Sequence, residues 1–163
     1  MLAASVSLRA TDPLRVAVAG VTHGHTGGVA AALQRGEVEV VGVFEADPRY
    51  RSRNALTRLL PADRFYDDLG RMLDQTRPEA VVAYGSIKDH LSVVQACAPR
   101  GIHVMVEKPL AASLRDARKM AALARKYGIH VLTNYETTWY PANHALKYLV
   151  DQGRIGPVHR IEV

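Results

Sequence analysis

A doubly wound α/β fold, with a mainly parallel sheet covered by helices on both faces, is what this sequence predicts. Three observations carry it. Short apolar runs recur from residue 14 onward, helical patterns alternate with them, and the first, second and third runs end at Gly20, Glu45 and Gly85. Runs that are apolar nearly throughout, rather than alternating, suit strands buried on both faces. Strand, helix and strand in repetition call for crossover connections and parallel pairing.

Taken in order, Leu14–Ala19 is apolar except for Arg15 and reads as the first strand. Thr26–Gln34, rich in small residues, reads as a helix, and Val38–Phe44 as the next strand. Pro48–Leu60 reads as a helix with proline in its first turn, where the missing N–H costs nothing. Asp67–Gln75 and Asp89–Ala98 are further helices on either side of the strand Ala80–Tyr84. The strand His103–Val106 precedes the clearest helix, Ser113–Tyr127, with Ser113 as cap and Gly128 as stop. Leu114, Ala117, Met120, Ala121 and Ala124 share the apolar face expected of it. Ile129–Thr133 is the last strand of the series, Tyr140–Gln152 a helix stopped by Gly153 and Gly156, and Val158–Val163 alternates like a strand. On this reading the chain is expected to divide into a lead-in at 1–13, an α/β domain at 14–152, and at 153–163 the start of a further, truncated domain.

Composition narrows the function classes. Hydrophobic residues make up 48% and charged residues 23% of the 163, a balance that suits a soluble globular domain. No apolar run approaches the roughly 20 residues that span a bilayer. The opening lacks the basic start of an export signal, since Arg9 follows its apolar residues. A single cysteine, Cys97, excludes an internal disulfide and fits a reducing, cytoplasmic compartment. The net charge of +5 invites a nucleic-acid partner, but only Tyr50 is interleaved with the densest basic group, Arg49, Arg51 and Arg53. A solvated basic face is the better reading, with neither nucleic acid nor membrane as partner.

The chemistry lies at the ends of the strands. Gly20-Val21-Thr22-His23-Gly24-His25-Thr26-Gly27-Gly28 joins a buried strand to a helix, where backbone N–H groups can approach a pyrophosphate. It departs from G-x-G-x-x-G at Thr22 and His25, and Gly24 and Gly27 are the substitutes if the loop carries extra residues. Glu45 follows Gly20 by 25 residues, close to the roughly 20 expected of an acid that accepts from a ribose 2′-OH. A carboxylate there favours NAD; Arg49 and Arg51 nearby leave NADP open. Against these stand plainer readings, a steric glycine turn and a solvated glutamate. His23 and His25 have the spacing of metal ligands, but residues 14–36 contain no Asp or Glu to complete a set, and no metal is expected. Glu107-Lys108-Pro109 sits directly after a strand, at the edge where open α/β sheets bind ligands. There Lys108 either pairs with Glu107 or, held partly out of water, transfers a proton.

Ile102-His103-Val104-Met105-Val106-Glu107-Lys108-Pro109-Leu110-Ala111 resembles the signature of the glucose–fructose oxidoreductase, inositol dehydrogenase and rhizopine-catabolism (Gfo/Idh/MocA) family. Ser86-Ile87-Lys88-Asp89-His90 is similar to the loop after that family's fourth strand, and Gln152–Val158 to its junction with a second domain. The resemblance covers residues 14–163 and implies a Rossmann-type nucleotide-binding domain followed by an α+β substrate domain. It places Lys108 beside nicotinamide and substrate as the catalytic residue. Gly20, Thr22, His23, Gly24, His25, Glu45, Gly85, His90, Glu107, Lys108 and Pro109 become candidates for the cofactor. Asn134, Tyr135, Trp139 and Tyr140 lie where substrate preference varies. The expected reaction is hydride transfer between NAD(H) and a secondary alcohol of a sugar or cyclitol, by a protein that forms homo-oligomers when complete. Two alternatives remain: an NAD-dependent glycosidase of the same family, and a non-catalytic NAD-binding module.

Overall fold

The computed structural model describes residues 12–161. Six strands form one sheet: β1 (Leu14–Ala19), β2 (Val38–Phe44), β3 (Phe65–Tyr66), β4 (Ala80–Ala83), β5 (His103–Glu107) and β6 (Val131–Asn134). Their order is β3-β2-β1-β4-β5-β6, and β1 pairs in parallel with both β2 and β4. The chain therefore builds outward from β1 on one side, returns, and builds outward on the other. That reversal makes the gap between the carboxyl ends of β1 and β4 the switch point where such sheets hold ligands.

Burial on both faces explains the unbroken apolar runs. Successive side chains of a strand point to opposite faces. Ala17, Ala19, Val81, Ala83, Val104 and Val106 pack with Met72 and Leu73 of α3 (Leu69–Thr76), Val93, Val94 and Cys97 of α4 (His90–Cys97), and Met120 of α5 (Leu114–Tyr127). Val16, Val18, Val40, Val43 and Val82 pack on the other face with Val29 and Ala30 of α1 (Thr26–Gln34) and with Leu56. The doubly wound α/β expectation is met.

Several elements differ from the sequence reading. The helix expected over Pro48–Leu60 is only α2 (Pro48–Arg51), followed by a 3₁₀ turn at Ala55–Arg58. Asn54 ends it, because its side-chain oxygen accepts from the N–H groups of Leu56 and Thr57 at 2.9 and 3.3 Å and starts a new turn. β3 is two residues long, too short to show a periodicity, and went unread. In α5 the buried face centres on Met120, with Ala117, Leu123 and Ala124 around it, whereas Leu114 is 65% exposed and Ala121 is exposed too. Ser113 does cap α5, accepting from the N–H of Asp116 at 3.1 Å. Residues 158–161 form no strand; the rest of that expected strand, 162 and 163, lies outside the described residues, as do 1–11 of the expected lead-in.

Two compact units are present, one reaching to Thr133 and one beginning at Asn134. The second contains a 3₁₀ turn at Glu136–Trp139 and α6 (Pro141–Asp151). Within it the Tyr140 hydroxyl donates to the Glu136 carboxylate at 3.1 Å, and Lys147 pairs with Asp151 one turn along α6. No described helix is long and apolar enough to cross a membrane.

Cys97 is fully buried, and burial pushes its thiol up to about 12 from an ordinary value of 9.0. The thiolate is the reactive form, so Cys97 should be inert toward thiol reagents in the folded protein and react only on unfolding. The raised value also means that the buried thiol favours folding below about pH 9, and that this contribution falls away as pH rises toward about 12. Reaction with a disulfide reagent as fast as that of a free thiol at neutral pH would show the burial to be wrong.

Candidate functional site

A cleft of about 570 Å³ opens at the carboxyl ends of β1, β2 and β4. Its walls include Gly20, Thr22, Glu45, Gly85, Ser86 and Asp89. Gly20 lets the ends of β1 and β4 close on each other. Gly20 has φ +81°, and a Cβ there would lie 2.5 Å from the Cα of Gly85. Gly20 is thus required by the chain's own backbone, whereas a Cβ at Gly85 would make only ordinary contact, 3.6 Å from the Cα of Gly20. Gly24, Gly27 and Gly28 differ, since a Cβ at any of them would meet no atom within 4 Å. Their bare backbone leaves a cradle that side chains would fill.

The turn above β1 is well tied down. The N–H of His23 and the hydroxyl of Thr22 both donate to the carbonyl of Tyr84, at 3.0 and 3.3 Å. The N–H groups of Thr26, Gly27 and Gly28 donate back to His23, Gly24 and His25 at 3.3, 3.1 and 2.9 Å. These bonds close the turn onto the start of α1.

Glu45 stands at the end of β2, 8% exposed. One carboxylate oxygen accepts from the N–H of Val21 at 3.1 Å and the other from the N–H of Asp47 at 3.0 Å. An ionised carboxylate has about four acceptor positions, so two remain for a ribose hydroxyl. Glu45 thus also ties the first turn to the second strand, a structural duty the sequence did not suggest. Arg49 is bound to Asp47 through its Nη2 at 2.5 Å, and that pairing holds the Asp47 carboxyl down to about 2.

At the end of β5, Glu107 is 2% exposed. Its Oε2 lies 2.8 Å from Nδ1 of His25 and 3.8 Å from Nδ1 of His23. Residues 14–36 hold no acid, as the sequence showed, but the fold brings one in from 82 positions beyond His25. Periodicity and local motifs carry no signal for such a contact. Tyr84, beside this group, is pushed up to about 12 by burial and then by the negative charge of Glu107.

Lys108 follows, joined to Pro109 by a cis peptide bond. Its side chain is exposed, so the described residues do not hold the ammonium out of water as the sequence reading supposed. His90 opens α4, is 1% exposed, and places its Nδ1 3.1 Å from the carbonyl of Leu110. It thereby pins the turn that carries Lys108. In the second unit, Asn134 is 9% exposed, Tyr135 and Tyr140 are exposed, and Trp139 ends the 3₁₀ turn.

The cleft has the parts a dinucleotide needs: a switch point between β1 and β4, an uncrowded glycine turn, and an acid at the end of β2. Residues 14–135 match the model of an oxidoreductase family with an NAD-binding Rossmann fold. The chain is 33% identical over 144 residues to trans-1,2-dihydrobenzene-1,2-diol dehydrogenase of Oryctolagus cuniculus, covering 86% of this chain and 42% of that protein. It is 26% identical over 118 residues to myo-inositol 2-dehydrogenase of Thermotoga maritima, covering 72% of this chain and 35% of that one. Among solved structures, the WlbA dehydrogenase of Chromobacterium violaceum, crystallised with NADH and UDP-GlcNAcA, superposes with a TM-score of 0.76 at 25% identity. That match covers 90% of this chain and 42% of the dehydrogenase. The chain spans less than half the length of these relatives.

Proposed function

The chain belongs to the Gfo/Idh/MocA oxidoreductase family, an NAD-binding Rossmann group, and from that premise we propose that it is the cofactor-binding part of a dehydrogenase acting on a secondary alcohol of a sugar or cyclitol. The observation that supports this best is that the glycine turn, Glu45 and Glu107-Lys108-Pro109 all lie at the carboxyl ends of strands of one sheet, with Gly20 and Glu45 lining the cleft there. Bound nicotinamide supplies a hydride acceptor or donor. The chain's own residues bind, orient and handle the proton. Glu45 accepts from the adenosine ribose, and Gly24, Gly27 and Gly28 give the backbone room beside the phosphates. Lys108 takes the hydroxyl proton as an amine in oxidation and returns it as an ammonium in reduction. His90 fixes the turn from which Lys108 projects. Asn134, Tyr135, Trp139 and Tyr140 contribute to substrate choice. Sugar or cyclitol is the substrate class because inositol and nucleotide-sugar dehydrogenases are among the relatives.

Glu45 provides the test of the cofactor site. Glu45→Gln should weaken NAD binding by about 1–3 kcal/mol, the scale of a lost hydrogen bond to a charged group. NADP, whose 2′-phosphate the carboxylate repels, should lose less. Calorimetry with both nucleotides, beside a melting curve, reads the difference. Equal losses would show that Glu45 acts only through the amides of Val21 and Asp47 and would remove it from the cofactor site.

A further inference from the structure

We propose that His23, His25 and Glu107 form a binding site for one divalent transition-metal ion of the zinc class. The two histidines come from the turn after β1 and the glutamate from the end of β5. Each residue offers a ligand atom, and the three atoms lie within 4.8 Å of one another. Two imidazole nitrogens and one carboxylate oxygen are a donor set that suits zinc, cobalt or ferrous iron rather than magnesium or calcium.

The distances suit an ion after small movements. Bonds of about 2.0–2.1 Å at tetrahedral angles put ligand atoms roughly 3.3 Å apart. The two separations from the carboxylate oxygen fall either side of that value, 2.8 Å to His25 and 3.8 Å to His23. Closing on an ion therefore means that His25 retreats from the carboxylate and His23 advances on it by about half an ångström each, and that the two imidazole nitrogens, no more than 4.8 Å apart, come to the same separation. His23 and His25 are partly exposed and sit in a turn, with rings 4.4 Å apart edge to face, so both can make that adjustment. The movement gives up one weak bond, from the N–H of His25 to Nδ1 of His23 at 3.3 Å.

Burial explains why an ion is favoured here. The Glu107 carboxylate is 2% exposed, and a desolvated carboxylate is stabilised most by a concentrated positive charge. A dication is such a charge. Three protein ligands leave a tetrahedral ion one further position, the arrangement that accepts water or a ligand oxygen. The other close histidine pair, His103 and His130, with rings 5.0 Å apart, belongs to no such three-ligand group among the described residues.

The site draws on residues that are also cofactor candidates, but its ligand is a different one, and it is tested without nucleotide. The 163-residue chain is titrated with Zn²⁺ by calorimetry and with Co²⁺ by visible absorption. One ion per chain is expected, with Co²⁺ bands of a low-coordinate nitrogen and oxygen site. His23→Ala and His25→Ala should each weaken binding at least about tenfold, the loss that even supporting residues of metal sites produce. Glu107→Gln should do the same, and melting curves identify any variant that fails to fold. His130→Ala should change nothing. No binding, or one-to-one binding that survives in the double variant of His23 and His25, overturns the proposal. Separate NAD titrations of the same samples keep a failure here distinct from a failure of the cofactor reading.

Discussion

Lys108→Ala should lower turnover by roughly 10²–10⁴ in the catalytically active protein, the contribution typical of a positioned proton-transfer group. The affinity for NAD should hardly change, because the lysine is proposed to meet the substrate hydroxyl rather than the phosphates. The exposure of Lys108 sharpens this test. An exposed side chain contributes little to folding, so the substitution should leave the melting temperature nearly where it was. If Lys108 served only as a structural partner of Glu107, the outcome would reverse, with a lower melting temperature and normal turnover per folded molecule. Steady-state NADH formation and a melting curve on one preparation separate the two. Unchanged turnover would take Lys108 out of the mechanism. A glycosidase of the same family would also lose activity in this variant, but the parent protein would release product without accumulating NADH.

Gly20→Ala should be among the most damaging substitutions in the first unit, costing about 3 kcal/mol or more. Two effects add. A left-handed backbone costs a non-glycine residue about 1–2 kcal/mol, and Gly20 sits at φ +81°. The new methyl would also stand 2.5 Å from the Cα and 2.6 Å from the N of Gly85, main-chain atoms that cannot swing aside. Urea denaturation should show the loss directly. Gly24→Ala is the matched control, since its methyl would enter open space; its stability should stay within about 0.5 kcal/mol. Similar stability for both variants would mean that the β1 and β4 ends are further apart than described.

Much of the fold was legible because strands buried on both faces must be apolar throughout. Val-Ala-Val-Ala in β1 and Ala-Val-Val-Ala in β4 can be little else between turn-forming residues. Helix limits were readable where a side chain or a glycine sets them, as Ser113 and Gly128 do for α5. They were not readable where a polar side chain acts against the pattern: Asn54 breaks a stretch whose apolar spacing still looks helical. The face of α5 was misjudged at Leu114 because periodicity names a stripe without saying which edge of it meets the sheet. The site divides in the same way. Its loops follow from the strand ends, but the meeting of Glu107 with His25 depends on the strand order, which no local pattern encodes.

The strand order also governs how the sheet is assembled. β1 lies at its centre, with Val16 opposite Val40 on one side and Ala80 on the other. During synthesis its first neighbour emerges soon after it, whereas the second edge has to wait for some forty more residues. Through that interval an apolar strand presents a row of unpaired amides and carbonyls, the kind of template on which chains aggregate. Pairing over such a separation is also slow to form. Nascent chains halted between β2 and β4 should therefore be the stickiest species this protein passes through, and the ones that a chaperone has most cause to hold.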